Sequence, residues 1–245
     1  MFDHVTIRAS DLAASKRFYD LAFAAVGFAG TPYADEHLLE WHDFSVYEGR
    51  PVTRRLHVGF VAPSRDHVDA FWRALTDAGY RDDGAPGLRT QYRPDYYGAF
   101  VLDPDGNSAE AVHHDSLRTD GGVIDHLWLR VREVAASKAF YEMIAPILGF
   151  RLRKHEPDWA GFRGEGGSCS FVSGEPLTEN VHLAFAAPDN ATVDEFHRVA
   201  LVAGYRDNGA PGERAVYHPG YYGAYVLDPD GNNVEAVCHN RERPR

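Results

Sequence analysis

One internal repeat spans nearly the whole 245-residue chain, and no other feature constrains the fold so tightly. DHVTIRASDLAASKRFYD, from Asp3, matches DHLWLRVREVAASKAFYE, from Asp125. RLHVGFVAP matches NVHLAFAAP, AGYRDDGAPGLR matches AGYRDNGAPGER, and YYGAFVLDPDGNSAEAV matches YYGAYVLDPDGNNVEAV. His4 and His126 lie 122 apart (126 − 4), whereas His57 and His182 (182 − 57) and Glu110 and Glu235 (235 − 110) lie 125 apart, so a small insertion separates the first pair from the others. The polar stretch HDSLRTDGG, ending in two glycines, reads as a linker. The expected division is residues 1–114 and 123–240.

Within each half the pattern runs strand, helix, three strands, and then the same again. HVTIR alternates and is β-branched, as a strand requires. Ser10 is placed to cap the following helix, on which Leu12, Ser15, Tyr19, Ala22 and Val26 share a face, and Gly27 is placed to stop it. Ser64 can cap a second helix with an apolar stripe of Val68, Phe71, Trp72 and Leu75. DGAPG reads as a loop. YGAFVLD and SAEAVHH read as strands joined by PDGN, a hairpin-turn signal in which Asn107 (Asn232 in the second half) serves the turn. Four βαβββ units result. A lone unit leaves an apolar sheet face bare, so units must pair, giving an α+β fold of curved sheets with helices outside and a cup inside.

Strand alternation places His4, Thr6 and Arg8 on the face opposite Val5 and Ile7. His57, Gly59 and Val61 share a face, as do Glu110, Val112 and His114. If these faces all line the cup, two imidazoles and one carboxylate converge, a donor set that suits iron(II), manganese, zinc, cobalt or nickel. The second half repeats the set as His126, His182 and Glu235. Gly59 and Ala184 leave room beside it. Arg8 and Arg130 can hold an oxygen-rich substrate, and Trp128, standing where the first half has Thr6, offers a stacking wall. One tyrosine of each pair Tyr96-Tyr97 and Tyr221-Tyr222 must face the cup; Tyr97 and Tyr222 are candidate acid–base groups, as is His218, which replaces Arg93.

These same segments resemble the vicinal oxygen chelate superfamily of glyoxalase I, bleomycin-resistance proteins, fosfomycin-resistance transferases and type I extradiol dioxygenases. DHVTIRASDLAASKRFYD resembles its opening strand and helix, LHVGF its second-ligand strand, and VLDPDGNSAEAV the hairpin bearing its Glu ligand. The resemblance implies two tandem domains of this type and the metal ligands His4, His57, Glu110, His126, His182 and Glu235. It leaves open whether His4 shares an ion with His57 and Glu110 or with His182 and Glu235. It further implies a divalent metal, iron(II) before the others, acting on a small molecule with adjacent oxygens. Sites of the glyoxalase I type usually add a fourth protein ligand near Glu48. The corresponding residue in the second half is Ser173, which tilts the reaction toward an extradiol-type dioxygenase. A glyoxalase-type lyase, isomerase or epimerase comes next, then a thiol-adding transferase. A metal-free drug- or metabolite-binding protein is the reading from another class, and two complete ligand sets argue against it.

Composition narrows the partners. A formal charge of −11 disfavours nucleic acid. Two cysteines, outside any C-x-x-C, give neither a disulfide framework nor a thiolate zinc site. No apolar run is long enough to span a membrane, and the start MFDHVTIRAS lacks a secretory h-region. The expectation is a cytoplasmic monomer or homodimer acting on a small molecule.

Overall fold

The computed structural model describes residues 1–28, 30, 32–117 and 122–240; residues 118–121 of the expected linker lie outside this set. The first unit comprises β1 (Phe2–Ala9), α1 (Leu12–Ala25), β2 (Tyr33–Ala34), β3 (Leu38–Trp41) and β4 (Phe44–Glu48). The second comprises β5 (His57–Val61), α2 (Arg65–Asp77), β6 (Asp82–Leu88), β7 (Tyr97–Leu102) and β8 (Ser108–His113). The third is β9 (Ile124–Val131), α3 (Val134–Ile144), β10 (Arg151–Glu156), β11 (Trp159–Gly164) and β12 (Gly167–Ser173). The fourth is β13 (His182–Ala186), α4 (Asn190–Val202), β14 (Arg206–Glu213), β15 (Tyr222–Leu227) and β16 (Asn233–Cys238).

The units pair across the two halves. One eight-stranded mixed sheet runs β14-β15-β16-β13-β1-β4-β3-β2 and joins the first unit to the fourth. The other runs β10-β11-β12-β9-β5-β8-β7-β6 and joins the second to the third. The seams are antiparallel, β1 on β13 and β5 on β9, while the first and last strands of each unit are parallel. Both sheets turn their apolar faces, with all four helices, into one core. Phe44 of the first sheet meets Phe60 of the second edge-on with ring centroids 5.0 Å apart, and Phe150, just before β10, stacks on Phe185 of β13 at 4.9 Å. Removing a fully buried ring such as Phe60 costs about 3–5 kcal/mol.

Two local expectations need correction. Asp11, not Ser10, caps α1, its carboxylate accepting from the Ala14 N–H; Ser10 instead binds Asp105 beside the hairpin turn. DGAPG is not a loop but most of β6. Its Pro is tolerated because β6 is an edge strand, and it pairs with β7 through two register shifts. Gly84 there has φ +157°, and a Cβ on it would lie 2.8 Å from the Phe100 ring. Ser64 caps α2 as expected, accepting from the His67 N–H.

Candidate metal centre

In the second sheet, Gly59 is opposed by Glu110 on one side and His126 on the other, with His57 two residues away on the same face. His57 Nε2 lies 2.9 Å from Glu110 Oε2 and 3.2 Å from His126 Nε2, and His126 Nε2 lies 3.2 Å from the same Oε2. Ligands bound at ~2.1 Å in adjacent positions on one ion stand about 3 Å apart, so these three atoms suit three neighbouring positions of a divalent cation. In the first sheet, Ala184 stands between His4 and Glu235. His182 Nε2 lies 2.8 Å from Glu235 Oε2, but His4 Nε2 stands back at 3.6 Å. All the donor atoms of each set fall within 4.8 Å of one another. His4 is thus placed with His182 and Glu235, and His126 with His57 and Glu110, the cross-half choice between the two open at the sequence level.

Each buried carboxylate is held from behind. Tyr96 donates to Glu110 Oε1 at 2.8 Å and Tyr221 to Glu235 Oε1 at 2.6 Å, which leaves Oε2 free for the site. Gly98 and Gly223 make the room: a Cβ on either would press on the Glu Oε1, at 2.4 and 2.7 Å. Burial and the nearby Glu charge push both phenols far up, so they stay protonated and act as donors. Tyr97 and Tyr222, the members of each pair offered as acid–base groups, point the other way and donate to Asp69 on α2 and Asp194 on α4. His218 is half-buried and lies outside the donor set, with its Nε2 2.8 Å from His239 Nδ1.

A second pair of carboxylates orients the histidines. Asp125 Oδ2 is 2.9 Å from His126 Nδ1, and Asp3 Oδ1 is 2.8 Å from His4 Nδ1. Neighbours on a strand normally face opposite ways. Here a β-bulge in each seam, between Ile124 and His126 and between Phe2 and His4, turns the intervening Asp to the ligand side. Asp125 also meets His114, and Asp3 meets His239. The sequence placed His114 on the face of Glu110 without a role and did not single out Asp3, Asp125 or His239, although Asp-His occurs at the start of both halves and His114 and His239 share the 125-residue shift (239 − 114). A carboxylate on the far ring nitrogen fixes which nitrogen faces a metal.

The protonation balance differs between the sites. Burial would raise Glu110, but hydrogen bonds from His126 and His57 and their charge bring it down to about 2. Burial would lower His126, but Asp125 and Glu110 lift it to about 10. In the other site burial prevails at His182, whose imidazole is lowered despite Glu235, while Asp3, Glu235 and Glu40 outweigh burial at His4 and raise it. Trp128 and Arg130 line a cavity of about 1530 Å³ that opens in front of His57, Glu110 and His126. Arg8 lies half-buried on the ligand-bearing side of β1, in the other sheet. Glu48 pairs with Ala9, whose side chain is in the core, and so falls on the alternation away from the ligands. Among the described residues each donor set therefore numbers three.

The model of the glyoxalase/bleomycin resistance protein/dioxygenase superfamily matches residues 1–111 and again 123–236. The chain belongs to this superfamily. A comparison with curated protein sequences found no match. Among solved structures, glyoxalase I from Zea mays is similar over 97% of this chain and 92% of its own, at 18% identity and a TM-score of 0.65. A mutant of the maize enzyme gives a TM-score of 0.68 at 19% identity, over 97% and 92% of the two chains. At these identities the likeness is one of fold. No described helix of this superfamily member is long and apolar enough to cross a membrane.

Proposed function

We propose that the chain is a divalent-metal enzyme acting on a small molecule with two adjacent oxygens, and that iron(II)-dependent cleavage of a catechol-type ring is its reaction. The observation that carries this reading is the His57–Glu110–His126 cluster: three donors about 3 Å apart at the base of a cavity, with the rest of the coordination sphere left to substrate and oxygen. A metal held there supplies Lewis-acid chemistry and, as iron(II), a place for O₂. The protein's own groups prepare the site. Tyr96 keeps one oxygen of Glu110 occupied, and Asp125 keeps Nε2 of His126 aimed inward. Trp128 and Phe100 flank His57 and offer an apolar wall to a ring.

Protein purified without added metal and analysed for elements should contain iron, manganese, zinc, cobalt or nickel. His57→Ala and Glu110→Ala should lower that content. Anaerobic loading with iron(II), followed by oxygen uptake with catechols, tests the reaction itself. Metal bound without oxygen uptake across a catechol series favours glyoxalase-type isomerase or lyase chemistry. No metal bound, with both variants indistinguishable from the parent, rejects the enzyme reading in favour of a metal-free binding protein.

A further inference from the structure

The two cups differ in the wall beside their donor sets. In the cup holding His57, Glu110 and His126 the wall is β10–β12. Its register carries the ligand-bearing face outward from His126 to Ser168 and then to Arg163. Two strand spacings, about 10 Å, separate His126 from Arg163, a span that one aromatic ring and a flexible guanidinium fill together. Arg153, Lys154 and Arg130 line the same cavity. Lys154 is paired with Glu156, but among the described residues the guanidinium groups of Arg130, Arg153 and Arg163 have no ion-pair or hydrogen-bond partner. The acids that line the cavity are engaged: Asp125 by His114 and His126, Asp83 by Ser108, and Glu110 in the donor set. Trp159 adds an indole N–H that is buried without a partner and is satisfied only when an acceptor reaches it.

In the other cup the wall is β2–β4, and its charge has the opposite sign. Residues 33–48 hold no Lys or Arg, and the acid on the register line of the ligand-bearing face is Glu40. Thr6 leads through Ser45 to Glu40, in the place that Gly161 takes beside Trp128 and Ser170. Arg130 has a counterpart in Arg8 of the other cup, so the asymmetry lies in Arg153 and Arg163; in a chain of net charge −11, such an unpaired cationic pair beside only one of two matched donor sets is a selective feature.

We propose that the cup of His57, Glu110 and His126 binds an aromatic acid, its anionic group held by Arg163 and Arg153 while its adjacent oxygens face the donor set, and that the cup of His4, His182 and Glu235 does not. The placement of the adjacent oxygens rests on the metal-enzyme reading above; the charge preference does not.

Calorimetric titration of the zinc-loaded protein with 3,4-dihydroxybenzoate and with the uncharged 3,4-dihydroxybenzamide tests this. The acid should bind at least about tenfold tighter than the amide, at one site per chain. The exposed pair Arg153→Gln and Arg163→Gln should erase the preference by weakening the acid far more than the amide. Benzoate or phenyl phosphate should displace the acid, and whichever competes better identifies the anion the wall prefers. Equal binding of acid and amide, a preference that survives the double substitution, two equivalent sites per chain, or displacement by neither competitor would each overturn the proposal. Repeating the titration on chelator-treated protein, with elemental analysis, separates the two readings. A charge preference in a protein that takes up no zinc on loading removes the metal enzyme and keeps the anion wall; bound zinc without a charge preference, in the loaded and the stripped protein alike, does the reverse.

Discussion

Gly59 controls the first donor set more directly than any residue outside it. A Cβ there would lie 2.2 Å from His126 Cε1 and 2.5 Å from its Nδ1, and the ring cannot yield without leaving Asp125 or Glu110. Gly59→Ala should therefore lower metal affinity at this site about 10- to 100-fold, read by competition with a chelating dye, with little change in unfolding midpoint. The other site already carries Ala184 at this position, and its His4 stands 3.6 Å from Glu235. Ala184→Gly should act in the opposite sense and tighten metal binding there. A second single-residue effect lies in the hairpin turn. Burial raises Asp228 to about 6, against the hydrogen bonds it accepts from Asn232 and Tyr141. Its folded-state pKa thus exceeds the ~3.9 of an unfolded aspartate, so its contribution is fully present below pH 4 and is lost as pH rises through 6. Asp228→Asn removes that titration. The stability difference between parent and variant, from urea midpoints at pH 4 and pH 7, should shift by roughly 2 kcal/mol against the parent at the higher pH.

The last hairpin of each half shows what an element reveals before it folds. Alternation and PDGN predicted both strands, and Asn107 serves the turn as expected, its backbone and amide N–H groups donating to Asp103. Alternation also required one tyrosine of each pair to face the cup but did not say which. Tyr96 precedes β7 and reaches Glu110, while Tyr97 opens the strand and turns to α2. Tyr96→Phe should weaken metal binding at that site about tenfold or more, because Glu110 loses the donor that orients it, whereas Tyr97→Phe should leave metal affinity unchanged. Equal effects on affinity would refute this division of roles. The bulges at Asp3 and Asp125 were not legible, since a bulge arises from the pairing of two strands and β1 or β9 alone carries no mark of its partner. For the same reason β6 looked like a loop: its Gly and Pro are tolerated only because it ends at a sheet edge.

At the scale of the molecule, the repeat made four units legible but not their pairing, because β5 and β13 carry the same ligand and nearly the same apolar residues, so each suits β1 as well as β9. The crossovers favour one pairing. The segment from β4 to β5 and the segment from β12 to β13 run side by side where they pass between sheets. Arg54 and Glu179 exchange backbone hydrogen bonds, Thr53 donates to the Asn180 carbonyl, and Thr178 donates to that of Arg55. Asp43 then ties the start of β4 to the backbone N–H groups of Val123 and Ile124 in the other sheet. Joining the halves in this way makes each donor set depend on both, and metal stoichiometry reads that dependence. With two ions per parent chain, His126→Ala with Glu235→Ala should leave none, although both residues belong to the second half, because each change breaks a different set. His126→Ala with Glu110→Ala should leave one, because both changes fall in the same set. Pairing within halves predicts the reverse, one ion in the first double variant and none in the second. Elemental analysis of the two proteins therefore decides the assembly without reference to any substrate.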